Sequence, residues 1–324
     1  VHVYTDGSVQ LNHGGTEMGQ GLYLKVAQIV AAEFGIGLDR VKITATTTAK
    51  VPNTSPTAAS SGTDLNGKAA QAAARTIRQR MAAVAATALD VPVTSVVFAG
   101  GTVGAGDKTL TFGEVAKLAH RARASLSSTG YYSTPKIHYD TKIHQGRPFY
   151  YFAYGAALAE VEVDTLTGEN RLRRVDILHD AGQSLNPAID LGQVEGGFVQ
   201  GMGWLTTEEL WWDDKGHLRT HAPSTYKIPA CGDVPAAFNV ALFKAGRNKE
   251  DVVYRSKAVG EPPLMLGIAV FQALRDAIAA CGDGWRVPRL DAPATAERVL
   301  MAIETLRTGV AERRVSPIAA EAAE

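Results

Sequence analysis

The chain has 324 residues, with 33 basic and 33 acidic side chains giving a formal net charge of +0, and 45% of it is hydrophobic. That balance argues against a partner recognised through net charge, such as nucleic acid or an anionic membrane, and no apolar run reaches membrane-spanning length. The length exceeds one ordinary core and suggests two subdomains. Two cysteines in no metal-binding spacing, Cys231 and Cys281, and no targeting segment point to a reducing cytoplasm.

In chain order, Val1–Thr5 and Ser8–Leu11 alternate apolar and polar residues around Asp6-Gly7, which predicts a β-hairpin. The run Gly14-Gly15-Thr16-Glu17-Met18-Gly19-Gln20-Gly21 follows. A helix comes next, with Leu22, Val26, Ile29 and Val30 on one face and an end near Gly35 or Gly37. Glycines at a helix N-terminus let backbone N–H groups approach an anionic group, and Gln20 adds an amide that both donates and accepts. A glycine-rich turn without a ligand reads equally well. The run is neither a Walker loop nor a dinucleotide fingerprint, because the required spacing is missing.

Val51-Pro52-Asn53-Thr54-Ser55-Pro56-Thr57-Ala58-Ala59-Ser60-Ser61-Gly62-Thr63-Asp64-Leu65-Asn66-Gly67 is almost entirely small or hydroxyl-bearing and precedes a predicted helix over Lys68–Leu89. Such a loop can lie against a flat ligand; the bland reading is a Ser/Thr/Pro connector with a helix cap. Residues 90–139 hold short strands around the glycines at 100–106, read as turns, then a helix opened by the capping pattern Thr111-Phe112-Gly113-Glu114. Strands are predicted over Tyr151–Asp164 and Asn170–His179, with Arg171, Arg173 and Arg174 on a solvated edge. A third glycine-rich segment, residues 180–203, enters a helix carrying glycine at 192, 196, 197, 201 and 203. Each glycine costs about 1 kcal/mol of helix propensity, so close packing or a ligand should compensate, and Gln193 is a second amide candidate. Helices over Met265–Ala280 and Ala294–Leu306 and a loosely held tail over 311–324 complete the chain.

Between the third glycine segment and the Met265 helix lies Lys257-Ala258-Val259-Gly260-Glu261-Pro262-Pro263, which sets one carboxylate between a glycine and two prolines. Gly260 can take backbone angles closed to other residues, Pro262 restricts Glu261 to extended conformations, and Pro263 suits a first helical position. The carboxylate's direction is thereby set by backbone, as a catalytic base requires. Its spacing alone equally fits an acid complementing a helix dipole.

Together, Gly-Gly-Thr-Glu-Met-Gly-Gln-Gly, Ser-Pro-Thr-Ala-Ala-Ser and Gly-Glu-Pro-Pro resemble the C-terminal part of the molybdenum-cofactor-binding subunit of the xanthine dehydrogenase/aldehyde oxidase family, over Val1 to about Cys281. Thr16 and Pro262 favour its purine-oxidising members. The resemblance implies molybdenum-molybdopterin with no direct protein ligand to the metal. It implies that Glu261 takes a proton from a metal-bound hydroxyl, which attacks the purine while hydride passes to a sulfido ligand. Gln20, Gly19, Ala59, Ser60, Thr63, Gln193 and Gly260 would bind the cofactor, and Ala58 and Ala59 would also line the substrate, with Ala59 touching the metal without ligating it. Where relatives often carry a cysteine near the pterin, this chain has Leu158.

The implied fold is α+β, two interleaved α/β halves of a molybdopterin-binding domain built from hairpin, glycine-loop and helix units. The halves are expected over 1–140 and over 141–310, the latter carrying the catalytic glutamate, with the tail over 311–324. The chain begins inside a hairpin arm without Met and reads as a piece of a larger polypeptide. Expected partners are an upstream half of the molybdenum subunit with the substrate-orienting residues, an Fe-S/FAD segment carrying 2Fe-2S clusters and FAD, and NAD as final acceptor, in a cytoplasmic dimer of heterodimers oxidising hypoxanthine and xanthine to urate. The alternatives are an aldehyde or N-heterocycle hydroxylase and a non-catalytic assembly module.

Overall fold

The computed structural model describes residues 1–50, 54–282, 284 and 286–308. Val51–Asn53, at the start of the hydroxyl-rich segment, and the tail expected over 311–324 lie outside the described residues. Helices and small sheets mix along the chain in an α+β fold. Packing separates two compact units: Val1–Tyr154 with Asp180–Gln193 and Leu242–Glu261, and Gly155–His179 with Val194–Ala241 and the described part of Pro262–Glu324.

In the first unit, β1 (His2–Val3) and β2 (Val9–Leu11) form the expected hairpin, with Val3 opposite Val9. Helix α1 (Leu22–Phe34) carries the chain over to β3 (Val41–Ile43), which pairs parallel to β2. Leu22, Val26, Ile29 and Val30 are all buried, and Gly35 ends the helix in the left-handed region. Helix α2 (Gly62–Leu89) starts six residues before the predicted Lys68. The small polar residues at its start have no apolar period, so the pattern could not reveal that first turn. Further along, Ala70, Ala74, Ile77, Met81 and Ala85 recur every three or four residues and pack with α1 residues Val26, Val30 and Phe34 in one core.

A meander of β4 (Val97–Ala99), β5 (Thr102–Ala105) and β6 (Lys108–Thr111) turns at the glycines that sequence marked as turns. Helix α3 (Phe112–Arg121) opens with the predicted capping box: Thr111 Oγ1 accepts from Glu114 N–H at 3.2 Å, and Thr111 N–H donates to the Glu114 carboxylate at 2.7 Å. A short hairpin, β7 (His138–Asp140) and β8 (Gln145–Arg147), follows.

The second unit contains β9 (Gly155–Val163) and β10 (Asn170–His179), antiparallel, with β11 (Ala237–Leu242) on the other side of β10. Tyr151–Tyr154, predicted as strand, lies outside the ladder. Strand β10 is central, so the arginines are not on a sheet edge; a bulge between Leu172 and Arg174 interrupts the alternation and leaves Arg173 and Arg174 both exposed. The order of the first sheet thus recurs here, with the second strand in the middle and a helix between the second and third.

That helix, α4 (Pro187–Thr206), gives its opening turns to the first unit and the rest to the second. Close packing accounts for three of its glycines: a Cβ on Gly201 would stand 2.0 Å from Leu264 O, one on Gly197 would stand 2.9 Å from Pro263 Cβ, and one on Gly203 would stand 2.6 Å from Pro229 Cδ. Gly192 and Gly196 face open space. The predicted helix from Met265 is instead a 3₁₀ helix over Pro262–Gly267 followed by α5 (Ile268–Ala279), since two consecutive prolines lack the N–H groups of a regular ladder. Helix α5 packs on β9, and α6 (Ala296–Thr308) packs on α5. Buried Val175, Ile177, Phe198, Leu274, Ile278 and Ile303 supply this unit's apolar interior.

Candidate functional site

The glycine loop leading into α1 is organised by its own acid. Glu17 accepts from the N–H groups of Gly19 at 2.9 Å, Gly21 at 3.0 Å and Tyr23 at 2.9 Å. Desolvation would raise the Glu17 carboxyl, but the three donors outweigh it and hold the group below the usual carboxylate range. The N–H groups expected to meet an external anion are therefore already occupied. Gly21, at φ 74°, caps α1, and a Cβ there would stand 2.5 Å from Ile189 Cδ1, so the position requires glycine. Gln20 accepts from Met18 N–H at 2.6 Å and donates to Thr16 O at 2.8 Å, leaving one amide hydrogen and one lone pair for another group.

The hydroxyl-rich loop approaches α2 through Ala59 at φ 56° and Ser60 at φ 52°, two consecutive non-glycine residues in the left-handed region. Such backbone costs about 1–3 kcal/mol per residue and clusters at functional sites. Here it turns Ser60 toward Glu261. Ser60 Oγ donates to Glu261 Oε2 at 2.7 Å and accepts from Glu261 N–H at 2.8 Å. Gly260 is outside the left-handed region, contrary to the reading of its backbone; what it provides is room, since a Cβ there would stand 3.0 Å from Ser60 Oγ.

These segments converge within the first unit on a cavity of about 300 Å³. Gln20, Ala58, Ala59, Ser60, Thr63, Gln193, Gly260 and Glu261, all singled out from sequence, line it. Gly19 stands outside the lining, its N–H turned to Glu17. Leu158 lies in the second unit and is 60% exposed on β9.

Sequence reasoning missed the charged part of the wall. Lys25, on the buried face of α1, pairs with Asp190 at the start of α4, and Ser184 Oγ donates to the same carboxylate at 2.5 Å. Lys257 pairs with Asp180 at 2.5 Å. Asp64, in the first turn of α2, accepts from Tyr151 Oη at 2.6 Å, and Tyr151 Oη accepts from Ala258 N–H at 2.9 Å. Burial pushes the Asp64 carboxyl up to about 6, more than the Tyr151 bond and the charges of Lys68 and Lys25 lower it. A lysine within an apolar helix stripe was a visible signal for Lys25; nothing in the sequence joins Asp64 to Tyr151.

The lining suits a flat, polar-edged organic group. Alanines and Gly260 leave space, while two amides, Gln20 and Gln193, and four hydroxyls, on Thr57, Ser60, Thr63 and Ser256, contribute polar groups to the lining. No group of three or more His, Cys, Asp or Glu side chains able to hold a metal occurs among the described residues.

Residues 1–235 match the molybdopterin cofactor-binding domain family, and the chain belongs to that family. It is 47% identical over 313 residues to xanthine dehydrogenase of Oryza sativa subsp. japonica, covering 93% of this chain and 21% of that protein. It is 46% identical over 305 residues to xanthine dehydrogenase/oxidase of Felis catus, covering 92% and 21%. The fold matches quinoline 2-oxidoreductase from Pseudomonas putida 86 with a TM-score of 0.81 at 26% identity, over 94% of this chain and 37% of that one. The chain thus spans 21% of the length of these curated relatives.

Proposed function

We propose that this chain is the distal part of a molybdenum hydroxylase of the xanthine dehydrogenase kind, oxidising hypoxanthine and xanthine to urate, with Glu261 as its general base. The reciprocal Ser60–Glu261 pair in the lining of a cavity that the glycine loop and the hydroxyl-rich loop also line carries this reading. Gln20, Gln193, Ser60 and Thr63 would hold molybdenum-molybdopterin, with Gly19 shaping the loop and Gly260 providing clearance. Ala58 and Ala59 would border the purine, Ala59 nearest the metal. When bound, the cofactor supplies the two-electron redox centre that these side chains lack.

Ser60 occupies Glu261 Oε2, which leaves Oε1 to take up the proton released as the oxygen nucleophile attacks. Ser60 also accepts from the Glu261 N–H, so one side chain meets both the backbone and the carboxylate of Glu261. Identity of 46–47% to xanthine dehydrogenases, against 26% to the quinoline enzyme, favours purines over other heterocycles or aldehydes. As an assembly module, the chain would need Glu261 only to complement a helix dipole, and Glu261 precedes a 3₁₀ helix of just 6 residues. Electrons would leave through 2Fe-2S clusters and FAD on partner segments, with NAD as acceptor, in a cytoplasmic dimer of heterodimers whose upstream half orients the substrate.

Glu261→Gln in the holoenzyme keeps size and hydrogen bonding while removing the base. It should preserve folding and molybdenum content and slow reduction by xanthine at least ~100-fold. Rapid-reaction kinetics, corrected for measured molybdenum and sulfido content, decide the matter: a near-wild-type rate refutes the assignment.

A further inference from the structure

Glu261 is exposed, so little side-chain packing aims it, and its orientation depends on how the preceding segment is anchored. Three of that segment's N–H groups have partners: Lys257 N–H donates to Ala181 O at 2.8 Å, Ala258 N–H to Tyr151 Oη at 2.9 Å, and Glu261 N–H to Ser60 Oγ at 2.8 Å. The Ala258 anchor differs from the Lys257 anchor because it is a side-chain hydroxyl with a single proton. That proton is committed to Asp64 at 2.6 Å, so the hydroxyl can meet Ala258 N–H only as an acceptor.

We infer that Tyr151 is a positioning residue for Glu261, its hydroxyl tying the Ala258–Glu261 segment to Asp64 in the wall of the same cavity. The inference rests on the reading of Glu261 as the base. Asp64 supports the polarity of the tether, since above pH about 6 it is ionised and can only accept. The relay joins α2 to the base-bearing segment across 87 residues on one side and 107 on the other. Ser60 fixes the far end of the segment at Glu261, and Tyr151 fixes it three residues earlier. With the second anchor gone, buried Val259 is the remaining hold before exposed Gly260, whose backbone can then shift and carry the carboxylate away from its line of approach.

The test compares wild-type holoenzyme with Tyr151→Phe, which deletes only the hydroxyl, and with Asp64→Leu, which removes the acceptor and frees the hydroxyl to rotate. Two readouts are taken: amide hydrogen exchange at Ala258, and the rate and apparent affinity of reduction by xanthine. Tyr151→Phe should speed Ala258 exchange about tenfold, the expected consequence of losing one hydrogen bond, and Asp64→Leu, which keeps the accepting oxygen but leaves it unanchored, should speed it measurably but less. Tyr151→Phe should keep its molybdenum, slow reduction about tenfold or more and leave apparent xanthine affinity within about twofold, because aim and not binding is lost. Should Tyr151→Phe fail to fold, Asp64→Leu carries the exchange readout alone. Unchanged Ala258 exchange in the folded variants, or a loss confined to xanthine affinity, overturns the inference. Glu261→Gln run in parallel separates the two claims: an inactive Glu261→Gln beside a fully active Tyr151→Phe refutes the positioning role only, whereas an active Glu261→Gln refutes the base.

Discussion

Two buried titratable groups of the first unit should pull stability in opposite directions with pH, and replacing either one should expose the other. Asp64 is raised from 3.8 to about 6 by burial. Between those values the folded chain keeps a proton that the unfolded chain releases, so Asp64 favours folding below pH 4 and loses that contribution as pH rises through 6. Two pKa units correspond to about 3 kcal/mol. His13 is lowered from 6.5 to about 4, chiefly by burial, with a smaller opposing effect of the Glu17 charge. Its neutral ring accepts from Gly15 N–H at 3.1 Å. Its contribution is present above pH 6.5 and is lost as pH falls through 4, again on the order of 3 kcal/mol. Over pH 4–6.5 the two slopes nearly cancel. Asp64→Asn keeps an acceptor for Tyr151 and removes the falling slope, so stability should climb with pH by about 3 kcal/mol over that range and exceed wild type at pH 7.5. His13→Gln should show the mirror image, a decline as pH rises toward 6. The charges facing Asp64 from α1 and α2, Lys25 and Lys68, are unchanged in both variants. Urea unfolding followed by far-UV circular dichroism at half-unit pH steps measures this. Asp64→Asn running parallel to wild type from pH 4 to 6.5 would refute the reasoning.

Gln20→Ala breaks the bonds to Met18 N–H and Thr16 O and removes the amide facing the cavity, so molybdenum occupancy should fall while turnover per bound metal stays within a few-fold; full occupancy with lost turnover would contradict a cofactor-holding role. Ala59→Leu adds branched bulk to the cavity wall at a residue already at φ 56°, and should lower xanthine reduction at least ~10-fold with molybdenum retained. Unchanged turnover of xanthine and hypoxanthine would place that loop away from the substrate.

Local elements were legible wherever a period or a cap was written in consecutive residues. The stripe of Leu22, Val26, Ile29 and Val30 gave α1, Gly35 gave its end, and Thr111 with Glu114 gave the start of α3. Legibility failed where small or imino residues replaced a period. Helix α2 began early because Gly62–Gly67 carry no apolar repeat, and Pro262-Pro263 gave 3₁₀ geometry ahead of α5. Strand position in a sheet is a non-local property, so the exposed arginines of β10 looked like an edge. Most residues named through family resemblance line one cavity, but their physical partners were not legible: Ser60 and Glu261 are 201 residues apart, and Tyr151 and Asp64 are 87 apart. No hydrophobic period or turn rule spans such separations.

The loop geometry at Ala59 and Ser60 shows how these distant pairings constrain one another. Two left-handed, non-glycine residues cost about 1–3 kcal/mol each and persist only where the surroundings over-determine them. Ser60 makes two bonds to Glu261, one of them to an ionisable carboxylate, and a hydrogen bond to a charged group contributes about 1.5–3 kcal/mol. The strain and the bonds are of similar size, so the loop conformation and the placement of Glu261 support each other. A Cβ at position 260 would press on Ser60 Oγ, and the glycine is therefore part of the same device. Occupation of the α1 loop N–H groups by Glu17 has a complementary effect. It ties down the loop that presents Gln20, and it leaves the side chains of Gln20, Ser60, Thr63 and Gln193, rather than those backbone donors, to offer polar groups to the cavity. Polar groups on three separate chain segments keep their mutual arrangement only if those segments are tied together, and the buried Lys25–Asp190 pair and the part-buried Lys257–Asp180 pair are such ties beside the cavity.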